Sequence, residues 1–351
     1  MLRKKRGQIE IQFNWIFVLI AGGLILTFFI TVVNKQRDVS ALRTSASVAT
    51  SLASIFTGAE ISTNTVNVFD LPQTTVDFEC GSYAIGSVRK QTGDNVVFAP
   101  TRIEGRKMIT WARDWSVPYR VMNFLYLTDP VIRYIIVNNS KDLGKKIFDT
   151  LPREMNKEVI DVVDFAGLED RNDPHIRFIF LGAVNGDVFQ NSLLNVDDEK
   201  ISAVAFPDLQ GKDSIPRFGN VEFYRKEGSA FEDPPAKTFY MNDDALFGAI
   251  YSGTAENYNC AMRNAFSRLA LVSSIYVNRS LELQKFYGSG GCFTFHHDRF
   301  LSVLESIATD LSVSYPHRTG ITPLSNIQDN MVSLKNDQNR QLQLLSCELI
   351  Y

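Results

Sequence analysis

The stretch Trp15–Val33, WIFVLIAGGLILTFFITVV, contains no charged residue. A helix rises ~1.5 Å per residue, so this run spans roughly the ~30 Å hydrocarbon core of a bilayer. Trp15 stands at one end, where an indole favours the headgroup region. A core helix of a globular protein would show a polar face, and nothing polar enough to make one interrupts this run. A cleaved secretory signal is the rival reading. It fits less well, because the run is longer than a signal core and no small-x-small site follows it; Ala21, Gly22 and Gly23 lie inside it. The stretch therefore predicts a transmembrane anchor.

The flanks orient the anchor. Arg3, Lys4, Lys5 and Arg6 precede it, whereas Lys35, Arg37 and Asp38 follow. This bias places the N-terminus in the cytoplasm and the body outside, in a single-pass arrangement whose first partner is the lipid bilayer. The segment Lys4-Lys5-Arg6-Gly7-Gln8, then Glu10, then an apolar helix, resembles the class III signal of archaeal type IV pilin-like proteins. The resemblance implies cleavage after Gly7, with Gln8 as the new N-terminus and Glu10 as the early carboxylate, although Glu10 comes earlier than that family's glutamate. It covers about the first 30 residues. The whole chain resembles uncharacterised archaeal single-pass membrane proteins with a large outer domain, which implies a location in the cell envelope, with envelope or filament proteins as partners, and no particular activity.

Working outward, 38–60 is rich in Ala, Ser and Leu and reads as a helical stalk on the 1–37 tip and anchor. Residues 61–75 carry Ser, Thr, Asn and Pro and read as a linker. The extracytoplasmic domain is then 76–351. Within it, 76–130 is β-rich: Val76-Asp77-Phe78-Glu79-Cys80 alternates, and Gly93-Asp94-Asn95 signals a turn. Trp111, Trp115, Tyr119, Phe124 and Tyr126 crowd one span. They read as core before they read as a sugar-stacking or partner surface. In 131–230, apolar β-branched runs at Ile132–Val137, Val159–Phe165, Ile176–Leu181, Ile201–Phe206 and Val221–Tyr224 imply strands buried on both faces, with a helix over Lys141–Leu151. Residues 238–351 read as mainly helical, with helices over Ala255–Phe286, Phe300–Leu311 and Asn326–Leu345. The fold class is α+β or α/β: an N-terminal transmembrane helix, a β-rich segment, a mixed sheet with flanking helices and a helical C-terminal region.

The chain has 351 residues, enough to bury a sizeable core, and a formal net charge of −3. No broad basic field exists, which argues against nucleic acid as a partner. Four cysteines stand at 80, 260, 292 and 347, none in a CxxC pair, so neither a zinc knuckle nor a thioredoxin-like motif is suggested. In a translocated body they allow two disulfides in three pairings. The expected pairing is Cys260 with Cys292 and Cys80 with Cys347, against four buried free thiols.

Chemical motifs are few. Neither GxGxxG after a strand nor GxxxxGK[ST] occurs, Gly288–Gly291 follows a helix instead of opening one, and no GxSxG elbow is present. No cofactor is expected. His296-His297-Asp298 is the densest histidine group. Adjacent histidines on a helix diverge by about 100°, so no metal site is expected there; His175 and His317 are isolated near prolines. The carboxyl ends of the strands, the usual site in such sheets, offer Asn138, Asn139, Asp161, Asp164, Gly182 and Asp208. Of these, Asp164, Asp208 and Asn138 are the weak catalytic candidates, able to bind a divalent cation or act as acid and base if they converge. Asp and Asn also end strands simply by forming turns. Asp243-Asp244 reads as a helix N-terminus. The sequons Asn138-Asn139-Ser140 and Asn278-Arg279-Ser280 permit glycosylation. The leading expectation is a non-enzymatic anchored structural or binding protein of the envelope, pilin-like in its first residues. The alternative is an anchored enzyme or ligand-binding domain with its site at the strand ends.

Overall fold

Trp15–Val33 is part of one uninterrupted helix, α1 (Gly7–Ile61), in the computed structural model, which describes residues 7–72, 74–138, 142–169, 172–184, 192–316 and 320–351. It is the one helix among the described residues that is long and apolar enough to cross a membrane. The apolar run and the segment read as a stalk are thus a single element. Its character changes along its length. Trp15, Leu19, Leu24 and Phe28 are exposed, whereas Ser45, Val48, Ala49, Leu52 and Phe56 form a buried stripe at helical spacing. That stripe enters the body of the protein, where Tyr83 Oη donates to the Ala49 carbonyl at 3.0 Å.

Residues 61–75 are not simply a linker: β1 (Thr65–Asp70) pairs antiparallel with β7 (Lys107–Ser116), in register from Thr65↔Ala112 to Asp70↔Lys107. Most of its side chains are exposed, so main-chain bonds hold this edge strand and apolar patterning could not reveal it. Next in chain order come β2 (Val76–Glu79), β3 (Ser82–Ile85), β4 (Val88–Gln91), β5 (Val96–Phe98), β6 (Arg102–Ile103) and β8 (Arg120–Thr128). They complete two four-stranded sheets, ordered β1-β7-β8-β5 and β4-β3-β2-β6. Period-two alternation gives the first sheet two buried faces. Met108, Ala112, Leu125 and Leu127 meet the α1 stripe. Trp111, Trp115, Phe124 and Tyr126 face inward, with Trp115 stacked on Phe124 at 5.1 Å. The aromatic span is core, as its composition implied.

The third sheet is ordered β10-β9-β11-β12-β13, from β9 (Ile132–Asn138), β10 (Asn156–Asp161), β11 (His175–Leu181), β12 (Ile201–Ala205) and β13 (Phe218–Glu227). The first four are parallel and β13 is antiparallel to β12. The short β14 (Ala230–Phe231) and β15 (Ala236–Met241) extend it along β13. β10 starts and stops earlier than its apolar run suggests: Val162–Gly167 is a 3-10 turn that leaves Val163 exposed. α2 (Leu143–Thr150) connects β9 to β10.

α3 (Asn242–Tyr251) lies between the first and third sheets, and every residue from Ala245 to Tyr251 is buried. A helix apolar on all sides belongs in such a position. α4 (Ala255–Tyr287) follows, then α5 (Gly291–Phe295), α6 (Arg299–Ser314) and α7 (Thr322–Ser333). The last predicted helix is not regular. A π-helical stretch at Leu334–Asn339 separates α7 from α8 (Arg340–Leu344).

Two disulfides close, but as Cys80–Cys260 and Cys292–Cys347. The expected pairing fails on geometry. Cys260 lies in the second turn of α4 and Cys292 just beyond its far end, with about 40 Å of helix between them. Cys80, in the β2–β3 turn, lies beside the start of α4.

Candidate functional site

The carboxyl edge of the parallel strands does not assemble the expected residues. Asp164 is exposed on the turn after β10, and Asp208 follows β12. Strand order places them three strand spacings apart, about 14 Å. Asp208 accepts from Asn220 N at 2.7 Å and Asn220 Nδ2 at 2.9 Å, which makes it a turn staple. Asn138 ends β9 and is buried against Gly144, where a Cβ would clash with its side chain. Connections leave β9 and β11 in opposite directions, and residues 139–141 and 185–191 lie outside the described residues. Asn139, Ser140 and His317 also lie outside them. Gly7, Gln8 and Glu10 occupy the first turn of α1.

The other motifs have structural partners. His296 is buried, with Nδ1 2.7 Å from the Cys292 carbonyl and Nε2 2.8 Å from the Glu348 carbonyl. It ties the two ends of the Cys292–Cys347 loop together and stacks on Tyr287 at 5.1 Å. His297 has its pKa lowered by burial, and its Nδ1 has no partner among the described residues. In the second sequon Ser280 is buried on α4 and donates to the His297 carbonyl at 3.0 Å.

A cavity of about 340 Å³ between α2 and the start of α3 is lined by Arg113, Lys146, Asp213, Asp243 and Phe247. Its arginine is already matched, since Arg113 faces Asp244 at 2.8 Å, and Lys146 Nζ donates to the main-chain carbonyl of Asp213. Burial pushes Asp244 up to about 6, against the pull of Arg113 and with Asp243 and Asp114 adding to the rise. From 3.8 to about 6 the folded chain keeps a proton that the unfolded chain releases, so stability falls as pH rises through this window and is flat above it. Asp244→Asn should flatten the pH dependence of unfolding there by on the order of 2 kcal/mol relative to wild type. Denaturant titrations of both proteins at pH 4 and pH 6.5 test this; parallel pH profiles would refute it.

The amino edge of the same sheet holds a different arrangement. A cavity of about 400 Å³ opens above one cross-strand row, Tyr134 (β9), Arg177 (β11), Ser202 (β12) and Arg225 (β13), all of which line it. Its opposite wall is the end of α3, with Ile250 and Tyr251, and the α3–α4 turn, with Gly253 and Thr254. Gly253 N donates to the Ala99 carbonyl at 3.1 Å, which brings Pro100, Thr101 and Arg102 to the third side. The size suits a small ligand, since such sites run roughly 300–1,000 Å³.

Arg177 forms the floor. It is 4% exposed. Its guanidinium donates to the carbonyls of Ala203 (3.4 Å), Ala249 (3.2 Å) and Ser252 (2.6 Å), and lies 5.4 Å from the Phe223 ring centroid. Nε has no partner among the described residues. Burial brings its pKa down to about 10, offset slightly by Tyr134. One strand away, Arg133 shows the contrast. It is equally buried but pairs with Glu158 at 2.5 Å and Asp173 at 3.3 Å. Arg177 has no such carboxylate among the described residues. The final carbonyls of α3 offer it about half an elementary charge.

The sequence signal for this site was a basic residue within an apolar strand, Ile176-Arg177-Phe178-Ile179. Arg133 carries the same signal in Ile132-Arg133-Tyr134-Ile135, and only the third dimension separates the paired arginine from the unpaired one.

Comparison with known proteins returns no match, whether to family models, curated proteins or solved structures.

Proposed function

We propose that this chain is a membrane-anchored, extracytoplasmic binding module of the cell envelope, with its ligand site in the cavity over the Tyr134–Arg225 row. That cavity carries the reading: three separate parts of the body wall it, and its floor is a buried side chain whose charge meets no carboxylate among the described residues. The location rests on α1, on the basic cluster Arg3–Arg6 before the apolar run, and on two disulfides, which persist in oxidising compartments. Full-length protein in detergent, incubated with a metabolite library and analysed by mass spectrometry, is expected to retain a compound unchanged. Turnover of the retained compound would make the protein an enzyme and overturn this reading.

The second reading, membership of a filament, is favoured by the class III-like segment around Gly7 and by the exposed apolar half of α1. A native chain beginning at Gln8 in intact-mass measurement is its expected result. A chain beginning at Met1 would leave a plain anchor.

A further inference from the structure

We infer that the ligand of the amino-edge cavity is a small organic anion whose carboxylate or phosphate group lies against Arg177. The inference rests on the binding reading above and supplies its chemistry.

A buried guanidinium without a counter-ion is costly, and proteins ordinarily pair such a group, as this one does at Arg133. At Arg177 every bonded acceptor is a neutral main-chain carbonyl. The rest of the lining is mixed: Arg102 pairs with Asp77 at 2.7 Å, Lys200 pairs with Asp197 at 2.8 Å, and Asp198 is held by Lys226 at 2.6 Å and by Gly228 N at 3.0 Å, with Arg225 and Glu199 completing the charged groups. His175 adds a further ring nitrogen at the rim. An oxyanion in the cavity would set a full negative charge beside a guanidinium whose bonded acceptors are all neutral. Most of the cavity's surface is apolar, so an organic body fits better than a bare inorganic ion.

The test is isothermal titration of the full-length protein in detergent with benzoate, phenyl phosphate, benzamide and inorganic phosphate. Benzoate or phenyl phosphate should bind at least about tenfold more tightly than benzamide, and the stronger of the two identifies the acidic group. Inorganic phosphate should bind more weakly than phenyl phosphate. Arg177→Met removes bonds to Ala249 and Ser252 and risks misfolding, so the main variant is Ser202→Asp. Ser202 is the β-ladder partner of Arg177 and lines the cavity. A carboxylate there supplies the missing charge from within, and should reduce binding of the acids by about tenfold or more while unfolding shows a folded protein. Arg225→Gln, at an exposed rim position, should weaken the acids a few-fold. Equal binding of acid and amide, tighter binding of inorganic phosphate than of phenyl phosphate, or acid binding unchanged in Ser202→Asp would overturn the inference. Benzamide binding without acid binding would do so while leaving the binding module intact, and no binding of any probe would overturn both.

Discussion

Replacing Cys80 and Cys260 together with serine is expected to lower the stability of the body by about 2–5 kcal/mol. The bond joins the β2–β3 turn to the start of α4 across 180 residues of sequence, so in the reduced chain two distant layers lose their tether. Cys292–Cys347 closes a shorter loop of 55 residues. Loop-closure entropy makes the first bond the more stabilising by about 1 kcal/mol. Urea unfolding of the two serine double variants measures both effects. A smaller loss for the Cys80 and Cys260 pair than for the Cys292 and Cys347 pair would contradict the chain-entropy account.

Trp115→Ala is expected to cost about 3–5 kcal/mol, the range for truncating a large buried aromatic. Trp115 is fully buried, stacks on Phe124 of its own sheet and meets Phe266 of α4 edge-on at 5.8 Å. Its Nε1 faces the Met241 carbonyl at 3.5 Å, just before α3. One side chain therefore contacts sheet, helix and inter-element turn. Trp115→Phe keeps one ring and should recover part of the loss. A loss below about 1 kcal/mol on Trp115→Ala would place the junction's stability elsewhere.

What could be read in the chain follows from which forces leave a local pattern. The apolar run from Trp15 to Val33 and the aromatic span write themselves into residue type, so α1 as a helix and the aromatic core were legible, whereas the stripe that Val48 to Phe56 buries in the body was not, since 38–60 read as a stalk. β1 was not, because its partners are main-chain groups of β7 and its own side chains face outward. The disulfide pairing was not, because it depends on which end of α4 each cysteine meets. The carboxyl-edge candidates were chosen by a rule about parallel sheets. The sheet obeys the rule's topology, yet Asp208 is spent on Asn220 and Asn138 on packing against Gly144. Arg177 was visible as a letter out of place in β11. Its significance depends on the lack, among the described residues, of carboxylates like Glu158 and Asp173, which other chain segments bring to Arg133.

The unbroken course of α1 has a mechanical consequence. Residues 34–44 are exposed, with no hinge between the apolar run and the first buried contact at Ser45. That free shaft is about 16 Å long. Body and apolar run are therefore geared together: one residue added to the shaft swings the cavity mouth by about 100° around the helix axis and lifts it by about 1.5 Å. Seven added residues return the mouth to within about 20° of its first heading, roughly 10 Å farther out. The number of residues between Val33 and Ser45 thus sets both the height and the compass bearing at which the cavity faces its surroundings.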